Sequence, residues 1–222
     1  MNLIHTAFEP KGEGPFPAIF ALHGWGASAF DLLGLAPYVC NGGFLMLCPQ
    51  GSMELPLGQG ALGYGWFPIT MGGTGPADSE IETAVEAASA FVDEALKRYP
   101  INPSKLALLG FSQGGVMAYH LAMREPQRYA ALAALSSWFP PELADKVADR
   151  EPLKRMPTMI QHGSRDEAIN ITRGRESVEK VRELGFPVVY REYDCGHEIT
   201  AKGLRDLSQF LNEKVVRPVI HL

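Results

Sequence analysis

Short, continuous apolar runs alternate with longer amphipathic stretches along this chain. Residues 18–22, 44–48, 106–109, 130–135, 158–160 and 188–190 form such runs, the pattern of strands covered on both faces. In residues 78–98, Ile81, Ala84, Val85, Ala88, Phe91, Val92 and Leu96 fall on one helical stripe. Asp78 or Ser79 can cap that helix and Pro100 stops it. Residues 113–124, 173–184 and 200–212 read as further helices, and 30–39 as a shorter one. This alternation predicts an α/β fold with a mostly parallel central sheet flanked by helices. No repeat, low-complexity tract or linker divides residues 1–222, so one domain is expected. Residues 50–77 are glycine-rich without a clear period and read as one long loop, of the kind that often builds a binding site.

Composition narrows the class. The formal net charge of -5 argues against a phosphate-gripping nucleic-acid binder, which normally shows a basic face. No stretch approaches the ~20 apolar residues of a membrane helix, so no stable membrane insertion is expected. Residues 1–6 lack the basic and apolar regions of a secretory signal, which makes the expected location cytoplasmic. Cys40, Cys48 and Cys195 are too few and too irregularly spaced for a disulfide framework or structural zinc.

The chemistry concentrates where the run 106–109 enters Gly110-Phe111-Ser112-Gln113-Gly114-Gly115 and then a helix. This is G-x-S-x-G between strand and helix, a turn so tight that side chains at Gly110 and Gly114 would meet neighbouring backbone. It holds Ser112 in a strained conformation with its hydroxyl presented at the carboxyl end of the sheet. A serine hydroxyl needs a base, and six histidines compete. His197, on the loop before the last helix, stands where this strand-turn-helix arrangement delivers one; His23 is its main competitor. The acid that orients the imidazole is expected after the run 158–160, where Asp166 stands, with Asp194 and Glu167 as alternatives. A tetrahedral intermediate needs two backbone donors. Gln113 N–H follows the nucleophile directly, and Trp25 N–H comes from the glycine-rich turn His23-Gly24-Trp25-Gly26 after the first apolar run.

Leu55, Leu57, Trp66, Phe67, Trp138 and Phe139 are the apolar loop residues expected to line a substrate pocket. Gly58-Gln59-Gly60-Ala61-Leu62-Gly63 matches G-x-G-x-x-G. With Pro56 before it and Gly65 and Pro68 after, it lacks the strand and helix that a dinucleotide site requires. Cys195 has no basic partner in sequence and reads as a small packed residue.

Taken together, Leu22-His23-Gly24-Trp25-Gly26, Gly110-Phe111-Ser112-Gln113-Gly114-Gly115, Ser137-Trp138-Phe139-Pro140, His162-Gly163-Ser164-Arg165-Asp166 and Gly196-His197 resemble the phospholipase/carboxylesterase family of α/β hydrolases. That family includes bacterial carboxylesterases and acyl-protein thioesterases, and the resemblance runs from about residue 16 to 212. It implies an α/β-hydrolase fold without a separate lid domain, a Ser112–His197–Asp166 triad, oxyanion donors at Trp25 and Gln113, and no metal or cofactor. The thioesterase branch commonly reads His-Gly-Leu-Gly-Asp and Trp-Phe-Asp where this chain has Trp25, Ala27 and Pro68 at the departing positions. The expected activity is hydrolysis of short-to-medium acyl esters of small molecules. A thioesterase using the same residues, or a non-catalytic small-molecule binder of this fold, are the alternatives. The oligomeric state, a homodimer included, is left open by the sequence.

Overall fold

The computed structural model describes residues 3–69, 77–146 and 149–217. In chain order its first strands are β1 (His5–Phe8), β2 (Phe16–Leu22), β3 (Leu45–Pro49), β4 (Met53–Gly58) and β5 (Ala61–Gly65). Helix α1 (Asp78–Arg98) leads to β6 (Ile101–Phe111), α2 (Gln113–Arg124), β7 (Ala131–Leu135) and β8 (Thr158–Gly163). Helix α3 (Ile171–Glu183), β9 (Val188–Tyr193) and α4 (Ala201–Leu211) complete the order.

Seven strands form the main sheet in the order β1-β3-β2-β6-β7-β8-β9. All neighbours are parallel except the edge pair β1–β3. The reason for the continuous apolar runs is visible in how alternate residues divide. Ala18, Phe20, Leu22, Leu106, Leu108, Leu132 and Ile160 join one core with residues of α1, α2 and α3. Ile19, Ala21, Ala107, Leu109, Ala133 and Met159 join a second core with Leu207, Phe210 and Leu211 of α4. A two-residue repeat buried on both sides leaves no polar position to show the alternation.

Three expectations change. The segment 50–77 is not one long loop: β4 and β5 pair antiparallel, Met53 opposite Gly65 and Leu55 opposite Gly63. Gly58, Gln59 and Gly60 at its tip all have positive φ (88°, 51° and 80°), so the G-x-G match belongs to a tight hairpin turn. Glycines and Pro56 hid the strands, and the ribbon tolerates that proline because β4, which carries it, pairs only with β5. The helix expected over 30–39 is instead a run of 3₁₀ turns at Leu33–Gly42, broken at Val39, Cys40 and Asn41. It has no side-chain cap and holds Pro37, so nothing in its sequence sustains regular α geometry. The cap of α1 is Ala77, not Asp78 or Ser79; its N–H donates to the Glu80 carboxylate at 2.9 Å. The residues 70–76 between the ribbon and α1 lie outside the described part of the chain.

Parallel strands bring their carboxyl ends to one rim of the sheet. There β2 runs into His23–Gly26, β6 into Ser112, β7 into Ser136–Phe139, β8 into the Asp166 loop and β9 into the His197 loop. The crevice beyond the carboxyl ends is where open α/β sheets place their ligands.

Candidate active site

Ser112 has φ 53° and ψ −120°, a conformation that costs a non-glycine residue roughly 1–3 kcal/mol. Its backbone is held on three sides. Ser112 N–H donates to the Leu135 carbonyl at 2.9 Å, and its own carbonyl accepts from Gly115 N–H at 2.9 Å and from Ser137 Oγ at 2.7 Å. A Cβ on Gly110 would lie inside van der Waals contact of the Gly114 carbonyl, and one on Gly114 inside that of the Leu22 carbonyl. The two glycines of the sequence motif are therefore steric requirements of the turn between β6 and α2. Ser112 itself keeps 9% of its surface exposed, enough to face the rim.

Asp166 and His197 come together across two loops 31 residues apart. His197 Nδ1–H donates to Asp166 Oδ2 at 2.7 Å. The other carboxylate oxygen, Oδ1, accepts from Ala168 N–H at 3.0 Å and Ile169 N–H at 2.8 Å. Three donors around a fully buried carboxylate fix its orientation, and the Nδ1 bond fixes the imidazole tautomer so that Nε2 carries the lone pair. The His197 ring is a quarter exposed and lies 4.8 Å from the Phe111 ring, which places it beside the residue preceding Ser112.

The competing groups are occupied elsewhere. His23 is 1% exposed; its Nδ1–H donates to the Gly24 carbonyl at 2.7 Å and its Nε2 accepts from Gly51 N–H at 2.9 Å. Burial pushes its pKa down, so it stays neutral with both nitrogens engaged. His162 donates Nε2–H to the Ile169 carbonyl at 2.7 Å, bracing the loop that carries Asp166. Its Nε2 also lies 3.5 Å from Asp166 Oδ2, but the bond geometry belongs to Ile169. His5 bonds Tyr99 Oη at 2.8 Å, His120 is buried within α2, and His221 lies outside the described residues. Asp194 is paired with Arg165 at 2.8 Å on the surface, and Glu167 is exposed. Burial raises the Cys195 thiol pKa, which keeps it protonated and poorly nucleophilic.

The turn after β2 lies close to Ser112, since a Cβ on Gly24 would stand 3.3 Å from the Ser112 Cβ. Gln113 opens α2, where the first N–H groups have no partner within the helix. In the turn after β2, Gly26 N–H is taken by the Tyr64 carbonyl and Ala27 N–H by the Gly24 carbonyl. Among the described residues no acceptor takes the Trp25 N–H. The ribbon β4–β5 is pinned onto this turn by the Tyr64–Ala27 exchange, so the ribbon and the expected oxyanion turn are one structural unit.

The six expected pocket residues divide. Trp66 (4% exposed), Phe67 (3%) and Phe139 (4%) are packed into the core shared with α1 and α2 and present little open surface. Their fixing contacts explain why. Trp66 Nε1–H donates to the His23 carbonyl at 3.0 Å with its ring against the His23 ring, and Phe139 meets Tyr119 edge-on. Leu55 and Trp138 are half-buried and Leu57 is exposed, its side chain beside Gly26. No linear motif marks the Gln113 side chain, which ties Trp66 and Phe67 down; only the closure of the ribbon onto α2 brings them within reach.

The sheet order and the strained serine between β6 and α2 define an α/β-hydrolase fold. The chain belongs to the phospholipase/carboxylesterase family, whose profile matches residues 5–215. It is similar to acyl-protein thioesterase 1 of Gibberella zeae, 27% identical over 161 residues that cover 68% of each chain. A probable inactive carboxylesterase of Oryza sativa subsp. japonica is 27% identical over 191 residues, covering 83% of this chain and 69% of that one. Among solved structures, esterase PE8 superposes with a TM-score of 0.81 at 23% identity, covering 96% of this chain and all of that one.

Proposed function

We propose that this protein is a serine carboxylesterase that hydrolyses short-to-medium acyl esters of small molecules through Ser112, His197 and Asp166. The single observation that carries the reading is the 2.7 Å bond from His197 Nδ1 to a carboxylate already held by two backbone N–H groups, beside a strained serine. His197 Nε2 takes the Ser112 proton as Oγ attacks the ester carbonyl carbon, and Trp25 and Gln113 N–H groups hold the developing oxyanion. His197 returns the proton to the departing alcohol, leaving an acyl-serine. Water, deprotonated by the same imidazole, then attacks that acyl carbon and releases the acid and free Ser112. Asp166 stabilises the imidazolium formed in each half-reaction without taking its proton. The relatives that carry the thioesterase name support a second reading, with the same residues acting on a sulfur ester.

The test is intact mass after treatment with a fluorophosphonate, followed by turnover of oxygen and sulfur esters of one acyl chain. A single adduct lost in Ser112→Ala, with oxygen esters turned over, is expected. Faster sulfur-ester turnover would shift the reading to a thioesterase, and no adduct with no turnover would leave a small-molecule binder of this fold.

A further inference from the structure

The loop after β7 carries a feature that ester hydrolysis itself does not use. Ser137 Oγ holds the Ser112 carbonyl and Phe139 N–H donates to Ser177 Oγ of α3 at 2.8 Å, so Trp138 stands between the nucleophile turn and α3. On its ring lies the guanidinium of Arg173, with Cζ 4.6 Å from the ring centroid. Arg173 belongs to the first turn of α3, directly after the loop of Asp166. It is exposed, and among the described residues no carboxylate or carbonyl accepts from its side chain.

That arrangement has a chemical direction. A guanidinium held over an aromatic ring still offers the planar edge of its N–H donors to a further partner. An edge of that shape matches a carboxylate in two parallel hydrogen bonds. The stack also restricts the rotamers of a side chain that is otherwise costly to order, so an incoming anion meets a partly preorganised partner. Two exposed arginines close to it in sequence do meet carboxylates of the chain itself, Arg165 with Asp194 and Arg175 with Glu192. Arg173 has no such partner among the described residues, and it lies over Trp138 of the loop whose Ser137 holds the Ser112 carbonyl.

We infer that Arg173, stacked on Trp138, forms a carboxylate subsite that makes esters bearing a remote anionic carboxylate the preferred substrates. The inference rests on the esterase reading above. It assigns Arg173 to substrate selection and Trp138 to positioning the guanidinium. The proposed subsite holds the carboxylate while Ser112 attacks the ester carbonyl elsewhere on the molecule, and no bond to the carboxylate forms or breaks.

Two matched pairs of substrates test it. One pair places the charge on the leaving alcohol (3-acetoxybenzoate against neutral 3-acetoxybenzamide). The other places it on the acyl chain (the mono-4-nitrophenyl ester of adipic acid against its terminal amide). The readout is the ratio of kcat/KM for the charged and neutral members within each protein, which cancels any general loss in a variant. The wild type should prefer the charged member of one pair by roughly five- to tenfold, through KM, and the preference should shrink with added salt. Arg173→Gln should bring the ratio to that of an uncharged site. Arg173→Lys should retain only part of the preference, because an ammonium has neither the fork nor the stack. Equal ratios in wild type and Arg173→Gln for both pairs would overturn the subsite. Turnover of the neutral members reports on the esterase reading separately. Calorimetric binding of adipate to wild type but not to Arg173→Gln reads the subsite without any turnover, and equal binding to both would count against it.

Discussion

Gln113 grips the exit of the β4–β5 ribbon with both ends of its side-chain amide: Oε1 accepts the Trp66 N–H at 2.9 Å and Nε2 donates to the Phe67 carbonyl at 2.6 Å. The residue is fully buried, so each of these groups lacks water as a substitute partner. One residue thus offers its backbone N–H to the proposed oxyanion site and uses its side chain to hold the ribbon that shapes the opposite turn.

Gln113→Ala should therefore lose more than a cap. Two buried backbone groups at Trp66 and Phe67 would be left unpaired, at about 1–3 kcal/mol each. Urea denaturation should show a loss of a few kcal/mol, and turnover should fall although the Gln113 backbone N–H is retained. A stability equal to wild type would mean that water or another side chain replaces the amide.

Ser112→Ala and His197→Ala should each abolish nearly all ester turnover, and the double variant should be little worse, because nucleophile and base act as a unit. The folded state should survive Ser112→Ala, whose backbone bonds do not involve the hydroxyl. Substantial hydrolysis by folded Ser112→Ala would remove the serine mechanism.

The two nearby acids should separate sharply. Asp166→Asn should lower kcat by orders of magnitude, since an amide favours the wrong imidazole tautomer. Asp194→Asn removes only an exposed pair with Arg165, worth at most about 1 kcal/mol, and should cost little. A reversed order in steady-state kinetics would transfer the role to Asp194.

Chain-length selectivity should follow the exposed loop residues and not the buried ones. Each buried methylene adds about 0.8 kcal/mol, so kcat/KM should rise over short acyl chains and level once the carbons extend past Leu57 and Trp138. Leu57→Ala should flatten that rise. Trp66→Ala, in the core, should instead cost about 3–5 kcal/mol of stability. A steep gain continuing to long chains and insensitive to Leu57 and Trp138 would place the pocket on other loops.

Stability should fall on the acid side of neutrality through His23 and His120, both held below their ordinary pKa by burial. Above an unfolded-state pKa of about 6.5 both states are neutral and the residues contribute no pH dependence. As pH falls below that value the unfolded chain takes up protons that the folded chain excludes, so stability is lost until the depressed folded values are reached. The slope is at most about 1.4 kcal/mol per pH unit for each histidine. Urea midpoints from pH 7.5 to 5 measure it, and His120→Gln should reduce the slope. An unchanged slope in that variant would show that other groups carry the effect.

Local rules were sufficient for the regular elements of this chain. Asp78–Arg98 and Gln113–Arg124 are helices at the expected bounds, because each carries an unbroken apolar stripe and a steric boundary: Pro100 follows one, and the glycine-flanked Ser112 turn precedes the other. The central strands were legible as apolar runs since burial on both faces leaves no other pattern. The strained serine was legible through its motif, and Gly110 is demanded by Gly114 and Gly115 only a few residues on, whereas Gly114 is demanded by the distant Leu22 carbonyl of β2.

Tertiary structure decided what depends on groups distant in sequence. Edge strand β1 exists through pairing with β3, and the β4–β5 ribbon shows itself through hydrogen bonds to Ala27 and Gln113 rather than through hydrophobic alternation. Sequence could rank His197 above His23 but could not exclude the latter; its two ring nitrogens are consumed only when Gly24 and Gly51 close around it. The same holds for Trp66 and Phe139, whose residue types suit a core and a pocket equally. Which one they enter is fixed by the elements that fold over them, and that information resides in the packing of α1 and α2 against the sheet.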